Sequence, residues 1–535
     1  MKLLTDFSYS ECLPIVSNDA MRALDNDTKV YNTRNDFASS ADASRISNTP
    51  IGAGYILMKE AAQALRDTVL DFLKKKKMHK SVAVFIGGGN NGGDGLVLAK
   101  LLIEDGIPCT VYSLAKPDAF KDEARMACDD FISAGGRLHS CEQLPLAPHF
   151  TLIVDCMLGN GASGELRPAF AQAVNTINSW KIPVLAADAP TGYDSQQHIM
   201  CDPCIHAAET LQFGLPRLDA YTSAGAAAFG TALLAQLPYP DELIRRVDAG
   251  VFLANESMIP DLLPERNEIG DKRAQGTAMI IAGSSNMPGA AALCTASALR
   301  SGAGLVTLAT PKSNLRTLQA KLSEPVFCGL GDDSCDCLSV MHLMHLQSVA
   351  SRQTAIAIGP GIGTTQETQD AVRMFLTGLS TPVVIDADAI NACGSAYFCM
   401  EGGPANAIIT PHKREWERNF GPLPTNESYY PEYLRHFAMQ FQLTIVLKGS
   451  PIYVALPDGR VYVIPARNSG LAKGGSGDVL TGVIVSLLSQ GMPTGEAAVL
   501  GVLIHQKAGR LTREELGPFS MLPSDVIKNL YRAFC

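Results

Sequence analysis

Two stretches of this chain place glycines and carboxylates where a strand hands over to a helix. The first begins at Ile86, which ends the apolar run Ser81–Ile86, and continues Gly87-Gly88-Gly89-Asn90-Asn91-Gly92-Gly93-Asp94-Gly95 into the helical run Leu96 to Glu104. Gly87, Gly89 and Gly92 fit G-x-G-x-x-G, whose glycines let the backbone approach a pyrophosphate at a helix N-terminus. Alone the pattern is weak, and a plain structural turn competes with it. Tyr112-Ser113-Leu114-Ala115 closes the next strand without the acid that would hold a ribose, which disfavours an ordinary dehydrogenase. Asn90, Asn91 and Asp94 add polar side chains that a bare phosphate cradle does not need. The second stretch is Asn468-Ser469-Gly470-Leu471-Ala472-Lys473-Gly474-Gly475-Ser476-Gly477-Asp478, leading into the apolar helix Val479 to Leu488. Amides at that helix start can form an anion hole for a transferring phosphoryl group, and Asp478 at its mouth can take a proton from an attacking hydroxyl.

Two more acids stand at strand ends. Asp155 closes Thr151–Val154 ahead of Gly159-Asn160-Gly161, and Asp188 closes Pro183–Ala187 ahead of Ala189-Pro190-Thr191-Gly192. Each could be a helix N-cap. In an open parallel sheet, however, carboxyl ends of strands share one crevice, so both acids are expected to face the glycine turn.

The elements that must position these groups read as alternating strands and helices, hence parallel sheets. Ser81–Ile86, Thr110–Tyr112, Thr151–Val154 and Ile182–Leu185 supply the first sheet. Thr277–Ile281, Leu305–Leu308, Ala355–Ile358, Pro382–Ile385, Ala407–Ile409 and Thr444–Leu447 supply a second. The Pro-punctuated segment Pro238 to Pro264 lies between them, so the expected domains are 1–250 and 251–535. Asp25 to Pro50, rich in Asn, Asp and Ser with no sustained apolar period, is expected to be a mobile loop.

With 535 residues, 46% of them hydrophobic and 18% charged, the chain can build real cores. A net charge of −9 and a pI near 5.6 speak against nucleic acid as a partner. The basic run Lys74–Lys77 reads as a solvated helix end. Met1 to Asp6 reaches an acid before any apolar signal core, and the weakly polar stretch Ala224 to Leu237 is too short for a bilayer. Fourteen scattered Cys do not suggest a disulfide framework. Cys201-x-x-Cys204 and Cys335-x-Cys337 lack a second pair at zinc spacing. A reducing cytoplasm, with no membrane partner, is the expected setting.

Asn90-Asn91-Gly92-Gly93-Asp94-Gly95, Asp155 with Gly159-x-Gly161, Asp188-x-Pro190-x-Gly192-x-Asp194 and Leu57-Met58-Lys59-Glu60-Ala61-Ala62 resemble the YjeF N-terminal family, the NAD(P)H-hydrate epimerases. The resemblance implies a Rossmann-like three-layer α/β/α domain. It implies that Asn90, Asn91, Gly92, Gly93 and Asp94, with Gly159, Asn160, Gly161, Ala162, Ser163, Gly164 and Glu165, contact a hydrated nicotinamide nucleotide. Asp188 would be the acid/base at the hydrated ring carbon. Asn91, Asp155 and Thr191, all oxygen ligands, would hold K+. Thr191 stands where that family usually has Ser, and Leu215-Pro216-Arg217 where it usually carries Lys.

The second half resembles the ribokinase-like superfamily, and within it the ADP/ATP-dependent NAD(P)H-hydrate dehydratases. The motifs are Gly283-Ser284 with Pro288-Gly289-Ala290-Ala291, Gly302-Ala303-Gly304, Gly359-Pro360-Gly361-Ile362-Gly363, Asp386-Ala387-Asp388, Thr410-Pro411-His412-x-x-Glu415, Lys448-Gly449 and the stretch ending in Asp478. They occur in family order over about residues 264–530. The resemblance implies that Ala290, Gly361 or Gly363, His412 and Asp478 contact the hydrate. Lys448, Gly449, Ser450, Pro451, Ile452 and Gly477 would hold the adenine nucleotide, with Mg2+ beside its phosphates.

Together the halves imply a bifunctional repair enzyme that interconverts hydrate epimers and dehydrates one of them with ADP as phosphoryl donor, working as a homo-oligomer on small molecules. Two rivals stay open. One is a ribokinase-like kinase of a hydroxymethyl vitamin precursor. The other makes the first domain a non-catalytic nucleotide-binding module.

Overall fold

Strands that are apolar on both faces must be covered on both faces, and in each half of the chain this produces a mainly parallel sheet between helical layers. The structure, a computed structural model, describes residues 12–34, 49–146, 148–247, 250–266, 268–398, 404 and 406–535. The chain divides into two compact units, Leu13–Ala249 and Gly250–Cys535, the second also taking in Cys12.

The first unit orders its seven parallel strands β3-β2-β1-β4-β5-β8-β9. These are β1 (Val82–Ile86), β2 (Cys109–Ser113), β3 (Leu138–Ser140), β4 (Leu152–Cys156), β5 (Val184–Ala187), β8 (Glu209–Phe213) and β9 (Thr231–Ala235). A small antiparallel hairpin, β6 (Tyr193–Asp194) with β7 (Ile199–Met200), follows β5. The strand order reverses between β1 and β4, where the register sets Phe85 beside Asp155 and Ile86 beside Cys156. That reversal opens a crevice outside the carboxyl ends of the strands. Val82, Val84, Ile86, Leu152, Val154 and Leu185 all lie in one core cluster, against the helices Pro50–Lys75 and Asn90–Glu104.

One expectation fails here. Residues 25–34, read as loop, are the second half of a helix, Asn18–Arg34. It is too polar to show a broad apolar face, but Met21, Leu24 and Thr28 make a narrow buried stripe at helical spacing. A bridge between Val16 and Arg217, with Val16 N–H donating to Pro216 O at 2.9 Å, anchors its start. Residues 35–48 of that expected loop lie outside the described residues.

The second unit holds ten strands in the order β10-β19-β18-β17-β16-β15-β14-β11-β12-β13. They are β10 (Val251–Leu253), β11 (Thr277–Ile281), β12 (Leu305–Pro311), β13 (Val326–Leu330), β14 (Ala355–Ile358), β15 (Val383–Ile385), β16 (Ala407–Ile409), β17 (Thr444–Leu447), β18 (Ile452–Ala455) and β19 (Val461–Ile464). Only β18 runs against the rest. Strand order reverses between β11 and β14, again placing a crevice at carboxyl ends. The helices Pro288–Arg300 and Ser476–Ser489 cover this point, and they meet at Gly482. A Cβ there would sit 2.0 Å from Ser297 Oγ and 2.2 Å from Cys294 O, so only glycine permits the approach.

Candidate active sites

At the first crevice β1 ends at Ile86 and the chain turns on glycines that have no room for a side chain. A Cβ at Gly87 would meet Met157 O at 2.1 Å, and one at Gly92 would meet Gly87 O at 2.0 Å. The helix starts earlier than expected, at Asn90, so Asn90 and Asn91 sit on its first turn and Asp94 just beyond it, rather than in a loop. Its N-cap, Gly89, offers no side-chain acceptor, which leaves the first-turn amides for a ligand. These residues border a cavity of about 510 Å³ together with Gly159, Asn160, Gly161, Ala162 and Asp188. Gly92 and Gly93 shape the turn behind it, while Ser163, Gly164 and Glu165 continue away from it.

Asp188 follows β5 in a left-handed conformation (φ 66°) that aims its carboxylate at this cavity. Its Oδ2 accepts the Asn160 N–H at 3.1 Å, and its Oδ1 is gripped by the guanidinium of Arg217. Arg217 is 2% exposed and also donates to Phe213 O, while the Asp188 side chain keeps 16% exposure toward the cavity. Around it stand two more carboxyls. Burial and the charges of Asp188 and Asp25 push Asp94 well above the usual carboxylate range. Asp25 is raised by its own burial, and Tyr239 donates to it at 2.6 Å.

Beside Asp188 lies a buried oxygen-rich pocket. Asp155 is wholly buried in β4, and burial pushes its carboxyl up to about 6 although three hydrogen bonds from Thr191 and Met157 oppose the shift. Thr191 donates to Asp155 from its amide and its hydroxyl, both at 2.8 Å. Asn91 Nδ2 donates to Leu158 O and Ala187 O, at 2.9 and 3.2 Å, which leaves Asn91 Oδ1 buried without a partner. Leu158, which accepts from Asn91 and donates to Thr191 Oγ1 at 3.1 Å, links the orphaned Asn91 oxygen to the Thr191–Asp155 pair, and such oxygens suit a hard monovalent cation.

In the second crevice Asp386, 1% exposed, ties four segments together. Its Oδ1 accepts Thr410 Oγ1 at 2.7 Å and Lys448 Nζ at 2.9 Å, and its Oδ2 accepts Thr481 Oγ1 at 2.7 Å. Burial opposes the Lys448 charge, but Asp386, Glu415 and Asp478 together hold it above its ordinary value. Lys448 Nζ would lie 3.3 Å from a Cβ on Gly477, which sets this cation against the first turn of the helix Ser476–Ser489. That helix is capped by Gly475 (φ 97°) with no side-chain acceptor. Lys473, the cation within the glycine stretch itself, is spent on Phe519 O and Met521 O at 2.7 Å each. The turn therefore sets one cation, Lys448, and one carboxylate, Asp478, beside a helix start with no side-chain cap, an arrangement that suits an anion. Burial pushes Asp478 up to about 6; Asp386 and Asp388 add to this and Lys448 opposes it.

His412 caps the helix Lys413–Phe420. Its Nδ1 accepts the Glu415 N–H at 3.0 Å, so Nε2 carries the proton, and Nε2 lies 3.5 Å from Glu415 Oε1. With a side chain 49% exposed and bridged through its backbone to Lys448, it faces the crevice rather than the core. Gly361 (φ 63°) packs against Ala290, where a Cβ would approach the Ala290 Cβ to 3.0 Å. Gly363 N–H donates to Asp388 at 2.9 Å. Gly449, Ser450 and Pro451 link β17 to Ile452, the start of β18.

Two family models match this chain: YjeF-related protein N-terminus over residues 54–218, and NAD(P)H-hydrate dehydratase over residues 278–532. The bifunctional NAD(P)H-hydrate repair enzyme Nnr of Moorella thermoacetica is 31% identical over 480 residues, covering 88% of this chain and 91% of that protein. This chain belongs to the bifunctional NAD(P)H-hydrate repair enzyme family. Its namesake in Mycobacterium leprae is also 31% identical, over 482 residues, covering 89% and 93% of the two chains. Among solved structures, an ADP/ATP-dependent NAD(P)H-hydrate dehydratase from Bacillus subtilis, co-crystallised with ATP/Mg2+ and soaked with CoA, is 31% identical. That match covers 52% of this chain and 97% of that one, with a TM-score of 0.44.

For a member of this family, the sequence reading left several site residues without a role. Arg22, Asp25 and Lys29 line the first cavity from the helix Asn18–Arg34. Lys29 pairs with Glu123 at 2.6 Å. Arg217 appeared only as a departure from a pattern, although a lone basic residue in the apolar run Phe213 to Leu218 was itself a signal of a buried partner. Asp386 stood in a quoted motif, but its hold on Lys448, Thr410 and Thr481 depends on strands that are distant in sequence.

Proposed function

We propose that this chain repairs hydrated nicotinamide nucleotides in two steps: the first unit interconverts the R and S hydrates, and the second dehydrates the S form with ADP, giving AMP and phosphate. The observation that carries the reading is that each unit of this family member has its own built crevice, with Asp188 in one and Asp478 at an anion turn in the other.

In the first unit Asp188 is the acid/base at the hydrated carbon, and Arg217 keeps its carboxylate oriented. The free amides at Asn90 to Gly92, with Gly93, Asp94 and the Gly159 to Glu165 segment, hold the nucleotide. The orphaned Asn91 Oδ1, Asp155 and Thr191 fit K+, which would supply positive charge next to the reacting ring.

In the second unit Ala290, Gly361, Gly363 and His412 bind the hydrate. Lys448 to Ile452 and Gly477 hold the adenine nucleotide. Asp478 takes the hydroxyl proton as the hydroxyl oxygen bonds to the terminal phosphorus of ADP and the bond to AMP breaks. The ring nitrogen lone pair then expels phosphate, and loss of a proton from the neighbouring carbon restores the double bond. Lys448 and the amides of Gly477 and Asp478 neutralise the charge that develops on the transferring group. Among the described residues no cluster of three or more His, Cys, Asp or Glu is arranged to hold a metal. Mg2+ would arrive on the nucleotide phosphates.

No helix among the described residues is long and apolar enough to cross a membrane, and the proposed setting is a reducing cytoplasm, with the enzyme a homo-oligomer. The domain assignment is 1–250 for epimerisation and 251–535 for dehydration. The test is a pair of variants. Asp478→Asn is expected to abolish nucleotide-dependent repair and spare epimerisation, and Asp188→Asn to do the reverse. Loss of both activities from either change in a folded protein would overturn the assignment.

A further inference from the structure

A second cavity of the second unit, about 420 Å³, opens where β11, β12 and β13 begin, at Thr277, Leu305 and Val326. The crevice of Asp478 lies at the other, carboxyl, ends of the same sheet, so the proposed chemistry does not use this space. Its volume falls within the roughly 300–1,000 Å³ of small-molecule pockets.

The lining has a consistent sign. No Asp or Glu borders the cavity, while Arg273, His345 and Arg352 do. The Arg352 guanidinium makes no hydrogen bond or ion pair among the described residues. The acid that attracts Arg273 is Asp271, and it already accepts the Arg273 and Ala274 amides at 2.9 Å each. His345 Nε2 lies 3.2 Å from Cys328 Sγ, so the thiol holds one edge of the ring. Two guanidiniums and an imidazole at one opening match a phosphate group, because forked N–H donors pair with its oxygens two at a time. Behind them Leu305, Phe327 and Val349 form an apolar wall, and Val326 remains 49% exposed on the edge strand. A cationic rim over an apolar wall suits an anion with a hydrophobic part.

We propose that this cavity is a second ligand site, binding a phosphate-bearing small molecule through Arg273 and Arg352. The source of the phosphate is either a nucleoside phosphate, whose base would lie on the Phe327 wall, or free inorganic phosphate.

Hydrogen exchange read by mass spectrometry on the full chain tests this with AMP, inorganic phosphate and adenosine in parallel. AMP is expected to slow exchange at residues 326–330 and 343–352 about threefold or more. Arg273→Ala/Arg352→Ala should lose that effect while keeping any protection at 448–452 and its nucleotide-dependent activity, which certifies the fold. Protection by AMP alone assigns a nucleotide, and equal protection by phosphate assigns the free ion. The site is overturned if neither anion protects these segments, if adenosine protects them as well as AMP, or if the double variant keeps the protection. Segments already fully protected without ligand would overturn it too, since another surface would then fill the space.

Discussion

Asp478→Asn should do more than stop phosphoryl transfer: it should make the second unit more stable, and by an amount that depends on pH. Burial holds this carboxyl at about 6 against an ordinary 3.8. A carboxyl with a raised folded-state value binds its proton more tightly folded than unfolded, so ionising it costs folding free energy. The cost is absent below about pH 3.8, builds between there and about pH 6, and is complete above. At 1.36 kcal/mol per pH unit the gap between 3.8 and about 6 corresponds to about 3 kcal/mol, which partial access to solvent reduces to about 1–3 kcal/mol. An amide of the same shape has no charge to bury. The gain in unfolding free energy should therefore be full at pH 8, about half as large at pH 5, and gone near pH 3.5. The chain has two tryptophans, and Trp416 is fully buried in the second unit. A Trp180→Phe background makes its fluorescence a reporter of that unit in urea titrations. No stabilisation at pH 8, or the same gain at pH 5 as at pH 8, would refute the argument that the desolvated, ionised Asp478 is held at a cost for catalysis.

Lys448→Met should leave Asp386 as a buried, unpaired carboxylate and cost about 3–5 kcal/mol in the same urea titration; in residual activity, the acid limb of the pH–rate profile should move up from about pH 6, because Lys448 opposes the rise of Asp478. Epimerisation should collapse when K+ is exchanged for tetramethylammonium and return on adding K+ back, with the dehydration step unaffected; Asn91→Leu should lose that response. Gly92→Ala should force a Cβ to within 2.0 Å of Gly87 O, opening the turn that carries Asn90 and Asn91. Its expected signature is a drop of about tenfold or more in epimerisation with nucleotide-dependent dehydration retained.

Much of the frame was legible in the chain because the signals are contiguous. Ser81–Ile86 and Thr277–Ile281 are apolar on both faces, and the glycine stretches at 87–95 and 474–477 follow or precede their elements directly. The polar helix Asn18–Arg34 was not legible as one. Its buried stripe is three residues wide, and its charges face a cavity whose other walls come from positions up to 239. Short strands such as β10 and β13 were missed for a related reason: three to five residues at the sheet's margins carry little pattern of their own and are held by their neighbours in register. In the sites, individual acids were legible from strand ends, whereas their partners were not. Arg217 reaches Asp188 from 29 residues away, and Thr481 reaches Asp386 from 95.

The central claim is that one chain carries both steps, and the most direct measurement follows recovery of the near-ultraviolet absorbance of reduced nicotinamide from separated R and S hydrates of NADH. Purified protein is given each epimer with ADP, with ATP or with no nucleotide. The account expects nucleotide-dependent recovery from both epimers, in full, with ADP as an effective donor. Recovery confined to one epimer would contradict the role given to Asp188 and its crevice, and no recovery from either would contradict the role given to Asp478.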